Sequence, residues 1–439
     1  MQTTLLHNAR LIDPEAGTVT DGALLIADGR IARVLSQPVD IAAAFTAAKA
    51  FGTAIDCHGH CLAPGIVDLG VKVGEPGERH KESYRSAGLA AAAGGVTTIV
   101  TRPDTHPAID TPEVLEFVTR RAQADSPVRV LPIAALTKGR DGREMTEIGF
   151  LRDAGAVAFS DGDRVVADTR VLSRALTYAR SLDALVIGHV QDPGLSLGAV
   201  ATTGKFASLR GLPGVPAMAE RMALDRDIAL IEMTNVRYHA DQITTARALP
   251  ALARAKRNGL DLTAGVSIHH LTLNDLDVAD YRTFFKLTPP LRAEDDRLAV
   301  VQAVADGLID IICSMHTPQD EESKRLPFEA AASGAVGLET LLPAALRLVH
   351  AGQIDLPRLF RALSLNPSRR LGLDSGRLAM GAPADLVLFD ADVPYRLDRA
   401  RLRSKSRNTP FDGALLQGRV LGTWVAGLRV FDSVTEGEA

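Results

Sequence analysis

The apolar positions of this chain fall into two regimes. In Thr4-Leu5-Leu6-His7-Asn8-Ala9-Arg10-Leu11-Ile12, Gly22-Ala23-Leu24-Leu25-Ile26 and Gly29-Arg30-Ile31-Ala32-Arg33-Val34, apolar or alternating runs are short and bounded by Gly, Asp and Pro. The tail from Gly376 repeats this style in Ala384-Asp385-Leu386-Val387-Leu388-Phe389 and Gly418-Arg419-Val420-Leu421-Gly422-Thr423-Trp424-Val425-Ala426-Gly427. Such runs predict strands joined by turns. Neither end is long enough to bury a good core alone, so residues 1–62 and 376–439 are expected to pair into one small β-sandwich domain. Between them, over 63–375, apolar strands alternate with amphipathic helices. After a first strand beginning at Ile66, candidate strands lie at 97–101, 129–134, 156–160, 184–187, 262–266 and 309–313. A helix is expected over 245–258, apolar at Leu249, Leu252 and Ala253. This alternation predicts an α/β protein built on a parallel (β/α)8 barrel of the TIM type. A doubly wound sheet would give a similar rhythm, but no G-x-G-x-x-G opens a helix.

Composition narrows the function more than the fold. A length of 439 residues suits one barrel plus an accessory domain. With 49 basic against 53 acidic residues, nothing calls for nucleic acid. No apolar run reaches the roughly 18 residues of a membrane span, and Met1-Gln2-Thr3-Thr4 does not open a signal peptide. Three cysteines, Cys57, Cys61 and Cys313, make no disulfide framework and fit a reducing, cytoplasmic setting.

The candidate chemistry lies in a series of ordered short motifs. The first strand reads Pro64-Gly65-Ile66-Val67-Asp68-Leu69-Gly70-Val71-Lys72-Val73-Gly74-Glu75-Pro76-Gly77. His80-Lys81-Glu82, the Ala90 to Thr98 segment, Leu136-Thr137-Lys138-Gly139, Phe159-Ser160-Asp161 and Gly211-Leu212-Pro213-Gly214 with Ala219-Glu220 follow. Then come Pro289-Pro290-Leu291-Arg292, Gly337-Leu338-Glu339-Thr340, Asn366-Pro367-Ser368, Gly381-Ala382-Pro383-Ala384-Asp385-Leu386 and Asn408-Thr409-Pro410-Phe411. Over nearly the whole chain this series resembles dihydroorotase, an amidohydrolase, of the bacterial class that associates with aspartate carbamoyltransferase. Hydantoinase and allantoinase share the skeleton but match the Glu-Pro-Gly stretch less well.

The resemblance implies a dinuclear zinc centre, and most of its ligand positions are changed. Alternate residues of a strand face one side, so a His-x-His pair there grips one ion; the two positions hold Gly70 and Lys72. The family's later histidine aligns with Gln242 and its catalytic aspartate with Ser314. Only Asp161 and His189 remain as a remnant site, fewer than the three or four protein ligands a zinc site requires. The substrate contacts change in parallel. The arginine that pairs with the substrate carboxylate aligns with Gly74, and two asparagines align with Asp104 and Thr288. A bidentate arginine lost and an aspartate gained both weaken binding of an anion.

Other donors carry blander expectations. On an extended strand, Cys57 and Cys61 of Cys57-His58-Gly59-His60-Cys61 would face one side and His58 and His60 the other, which does not suit one ion. His269-His270 is read as a structural pair, His239 and His316 as packing residues, and Lys81, Lys138 and Arg292 as loop ion pairs. Lys72 is expected to reach Asp161, or another strand-end acid such as Asp104, and replace the missing cations.

The reading that follows is a non-catalytic, structural dihydroorotase homologue with no cofactor. It is expected to bind the aspartate carbamoyltransferase catalytic chain, as a homo- or hetero-oligomer. The alternatives are an active dihydroorotase or related cyclic amidohydrolase with an atypical zinc site, and a metal-free sensor of pyrimidine-like ligands.

Overall fold

The computed structural model describes residues 3–433; the first two residues and the last six of the two end segments lie outside them. Strand Thr3–Asp13 pairs antiparallel with Thr18–Ala27 and parallel with Thr53–Asp56 and Cys61–Pro64. Cys61–Pro64 in turn pairs antiparallel with Leu386–Arg396, which continues to Leu415–Val425. Both ends of the chain thus build one eight-stranded sheet, the core of the small β-sandwich domain. Alternation sorts its side chains: Leu386 and Leu388 join Leu6, Leu24, Leu62 and Trp424 in a small core, whereas Val387 and Phe389 face the main core.

One element of this region is not a strand. Pro38–Phe51 is a helix with proline in its first turn, where the sequence pattern had given only strands and turns. Its run of alanines favours helix, and Ala44 and Ala48 pack on Leu5, Ala23 and Leu35.

The barrel runs through parallel strands Ile66–Val71, Val96–Thr101 and Arg129–Pro132, and then Leu185–His189, Arg237–Asp241, Leu262–Ser267 and Ile311–Cys313. The gap is bridged at Phe159, which pairs with Ala134 on one side and Val186 on the other. The predicted strand at 156–160 fills this place: Val157 N donates to Pro132 O at 3.1 Å, Ala134 N to Ala158 O at 3.0 Å and Ser160 N to Ala134 O at 2.9 Å. Ser314 N donates to Asp68 Oδ1 at 2.8 Å and Lys72 N to His316 O at 2.8 Å, which joins the last strand end to the first. Arg237–Asp241 is absent from the strands expected above. Its ends are charged, and only Tyr238 and Ala240 give it an apolar face.

The helix expected at 245–258 is shorter, Leu249–Arg257. Thr244 and Thr245 donate their backbone N–H groups to Glu220 Oε1, both at 2.9 Å, so the chain ahead of Pro250 is tied to the first turn of helix Met218–Thr234. Among the described residues, no helix is long and apolar enough to cross a membrane.

Candidate functional site

In parallel barrels, functional groups sit at the C-terminal ends of the strands, and here those ends carry charge. Arg102 follows Val96–Thr101, Lys72 follows Ile66–Val71, His189 ends its strand, and Asp241 ends another. Arg102 is buried and grips Asp104 with two bonds, Nε to Oδ1 at 3.2 Å and Nη2 to Oδ2 at 2.7 Å. Lys72 Nζ lies 3.4 Å from Asp104 and 3.4 Å from Glu78. Asp104 is 3 % exposed. Although burial opposes its charge, the Arg102 guanidinium and then the Lys72 ammonium hold its carboxyl far below the usual carboxylate range. Arg102 also attracts Asp163 and Asp241, and Arg140 Nη2 meets Asp163 Oδ1 at 2.5 Å.

Lys72 therefore takes the Asp104 partner and not Asp161, which corrects the first of the two pairings expected. Asp161 Oδ1 accepts from Leu136 N at 3.0 Å and Thr137 N at 2.9 Å, while Oδ2 accepts from the Thr137 hydroxyl at 2.5 Å. Burial raises its pKa, and these donors work against that shift. Three hydrogen bonds from one loop satisfy this carboxylate without an ammonium. The cation missing from the sequence reading is Arg102. Its signal was available as a charged residue directly after a predicted barrel strand.

The replaced positions are each engaged in other contacts. Gly70 has φ +100°, and a Cβ there would lie 2.7 Å from Met315 Sδ. Ser314 Oγ donates to Asp68 Oδ2 and accepts from His316 N at 3.0 Å. Burial pushes the Asp68 carboxyl up to about 6, against the Ser314 bonds. Gln242 Nε2 donates to Thr288 O at 3.2 Å, and Thr288 precedes a cis peptide bond to Pro289. At Gly74 a Cβ would lie 2.3 Å from the Glu78 carbonyl oxygen.

His189 is buried, its Nδ1 has no hydrogen-bond partner among the described residues, and burial lowers its pKa to about 4, so it is a neutral imidazole at pH 7. Asp161 and His189 do line one cavity, of about 20 Å³. That holds one water, whereas small-molecule sites run to about 300–1,000 Å³.

The remaining donors divide between packing and ion pairs. The chain does not run extended through Cys57 to Cys61 as expected. His58 (φ +51°) and Gly59 (φ +77°) turn it between two strands. Cys57 then packs in the small core and Cys61 in the main one. His269 stacks on Phe411 with ring centres 5.7 Å apart, and His270 Nε2 lies 3.1 Å from Pro289 O. His239 Nδ1 meets Thr263 Oγ1 at 2.9 Å, and His316 Nε2 meets Glu82 Oε2 at 3.3 Å. Lys81 pairs with Glu78 and Lys138 with Glu144, both at 2.5 Å. Arg292 does form an ion pair, and a buried one: its Nη2 lies 3.4 Å from the buried Glu220, and its Nε donates to Thr244 Oγ1 at 2.9 Å. Glu220 gathers the loops after two strands by accepting from Thr244, Thr245 and Gln191.

A barrel with a sandwich domain sewn from both chain ends, and its chemistry at the strand ends, is the amidohydrolase architecture. L-hydantoinase from Arthrobacter aurescens superposes with a TM-score of 0.87 at 23% identity, covering 98% of this chain and 96% of that one. D-hydantoinase from Thermus sp. gives 0.81 at 21% identity, covering 98% and 95%. The Dihydro-orotase-like family model matches residues 59–248. A dihydroorotase of Anaeromyxobacter dehalogenans is 40% identical over 99% of this chain and 98% of its own. A dihydroorotase-like protein of Pseudomonas putida is 41% identical over 97% and 98%. The chain belongs to the dihydroorotase-like family.

The zinc centre that the resemblance implies does not fit the residues present. Gly70 offers no donor, Lys72 is held between two carboxylates, and Ser314 and Gln242 are hydrogen-bonded elsewhere. Among the described residues, no three His, Cys, Asp or Glu side chains converge to hold a metal ion. At the mouth, fixed side-chain cations face the carboxylates.

Proposed function

We propose that this chain is a catalytically silent dihydroorotase-like protein of the cytoplasm. Its role is structural, in an assembly with the aspartate carbamoyltransferase catalytic chain of pyrimidine biosynthesis. One observation carries the silent half of the reading: the strand-end carboxylate Asp104 is neutralised by Arg102 and Lys72 of the chain itself. A hydrolase of this kind needs a metal-bound hydroxide and a carboxylate to move its proton. Neither has a place where Lys72 and Ser314 now stand. Retained fold with replaced chemistry supports a binding role, because surface and core persist when site residues change.

The protein purified without added metal is expected to carry far less than one zinc per chain. It is also expected to give no ring opening of dihydroorotate, and no closure of carbamoyl aspartate, above background. Stoichiometric zinc whose chelation abolishes activity, or turnover in the ordinary enzyme range of about 1–10³ per second, would instead establish an active dihydroorotase with an atypical site. The name dihydroorotase on the Anaeromyxobacter relative favours that second reading. A sensor of pyrimidine-like ligands in the remnant pocket is disfavoured by the one-water volume beside Asp161 and His189.

The partner is tested by co-expression with the aspartate carbamoyltransferase catalytic chain of the same organism. One large species carrying both chains, six copies of each, is the expected outcome of size-exclusion chromatography. It should persist in Asp161→Asn and His189→Ala, which touch only the barrel mouth. Separate elution at micromolar concentration, with the transferase assembled and active alone, removes the partner from the reading.

A further inference from the structure

Away from the barrel mouth, a cavity of about 250 Å³ lies where the barrel meets the terminal sheet. Four arginines line it: Arg396, Arg401, Arg403 and Arg419. Arg419 lies over the Tyr395 ring at 5.3 Å, and Arg403 over Phe431 at 5.7 Å. Arg396 Nη1 donates to Gly413 O at 2.8 Å. The contacts of Arg396 and Arg419 orient their guanidinium groups without cancelling their charge. Among the described residues, Arg396, Arg401 and Arg419 make no ion pair with a carboxylate.

The lining also holds two acids, fewer than its arginines. Asp398 caps a short turn by accepting from Ala400 N at 2.8 Å. Glu339 accepts from Arg403 N at 2.8 Å and Ser404 N at 3.3 Å, and burial pushes its carboxyl up to about 7. Guanidinium groups stay charged at any working pH. Several of them around one concavity repel each other and focus a positive potential into it. Planar donor forks on aromatic faces also suit phosphate oxygens better than lysines would. The barrel-mouth chemistry uses none of these residues.

We propose that this cavity is a binding site for the phosphate groups of a small phosphorylated molecule, gripped by Arg396, Arg401 and Arg419 at the junction of barrel and sheet. Because the aromatic faces nearby are covered by arginines, recognition rests on the phosphates and not on a stacked ring. Occupancy would brace the two domains together and raise the melting temperature.

The test is calorimetric titration of the full chain with pyrophosphate, at matched ionic strength, alongside a thermal melt. Saturable binding with a rise in melting temperature is expected. It should weaken at least about tenfold in Arg401→Ala/Arg419→Ala, the loss of two charge-assisted contacts. Arg174→Ala, an exposed arginine of helix Thr169–Ser181, should bind as the unaltered chain does. Arg401→Lys/Arg419→Lys, which keeps the charge but not the fork, should fall between. No saturable binding at millimolar pyrophosphate overturns the site, as does equal binding by the double alanine variant. Loss of binding in Arg174→Ala as well would show general charge attraction and overturn it too.

Discussion

Arg102→Met lowers the unfolding free energy by about 3 kcal/mol, the lower end of the range for stripping one partner from a buried ion pair. Methionine fills much of the same volume, so the loss reports charge and not a cavity. Asp104 is 3 % exposed, and Arg102 supplies two of its hydrogen bonds. Lys72 at 3.4 Å remains, which keeps the loss from being larger. By the same argument Lys72→Met costs less than Arg102→Met, since the stronger partner stays in place. Adding Asp104→Asn to Arg102→Met should return most of the lost stability, because the uncompensated carboxylate is then gone. Urea denaturation of the two single variants and the double closes the cycle. If Asp104→Asn in the Arg102→Met background gives no recovery, the cation at the barrel mouth is not what Arg102 supplies.

Rebuilding the family's site is not expected to rebuild an enzyme. The variant Gly70→His/Lys72→His/Gln242→His/Ser314→Asp is expected to unfold more readily than its parent and to remain far below a working dihydroorotase. Each replacement meets a specific obstacle. A side chain at Gly70 starts 2.7 Å from Met315 Sδ with the backbone at φ +100°, and overpacking of this kind costs about 1–3 kcal/mol. Lys72→His leaves Glu78 and Asp104 with one cation fewer. Ser314→Asp sets a second carboxylate against Asp68, which now accepts two bonds from Ser314. The carboxylate clamp cannot be added at Gly74, where any Cβ runs into the Glu78 carbonyl at 2.3 Å. Circular dichroism melts, zinc content and a dihydroorotate assay of the rebuilt chain check this. Zinc uptake with turnover restored to the ordinary range would show that the scaffold, and not only its ligands, had been kept for catalysis.

The elements show where the chain's own pattern suffices. Strands with no charged residue, such as Val96–Thr101 and Leu262–Ser267, declare themselves because both faces of a barrel strand are covered. Arg237–Asp241 does not, since Tyr238 reaches its Asp227 partner and His239 its Thr263 partner only once the neighbouring elements are in place. The helix Pro38–Phe51 was hidden by the strands around it, although its alanines carried a local helix signal. The segment at 156–160 has a strand's composition and pairs through Val157, Ala158 and Ser160 on one side, but only through Phe159 on the other.

The candidate site divides in the same way. Sequence alone determined that Gly70, Lys72, Gln242 and Ser314 stand where the resemblance implies a zinc centre, and the identity of a side chain fixes whether it has a donor atom to give. It also determined that Asp161 and His189 are kept, and that Gly74 has no guanidinium. Which cation faces which carboxylate was decided only by the tertiary structure. Asp161 draws its compensation from the amides of Leu136 and Thr137, so Lys72 is left to Asp104, and Arg102 takes the larger share there. The physical reason is that charge compensation depends on a few ångströms across strands far apart in the chain. Residue types state which charges exist, and only the closed barrel sets which of them meet.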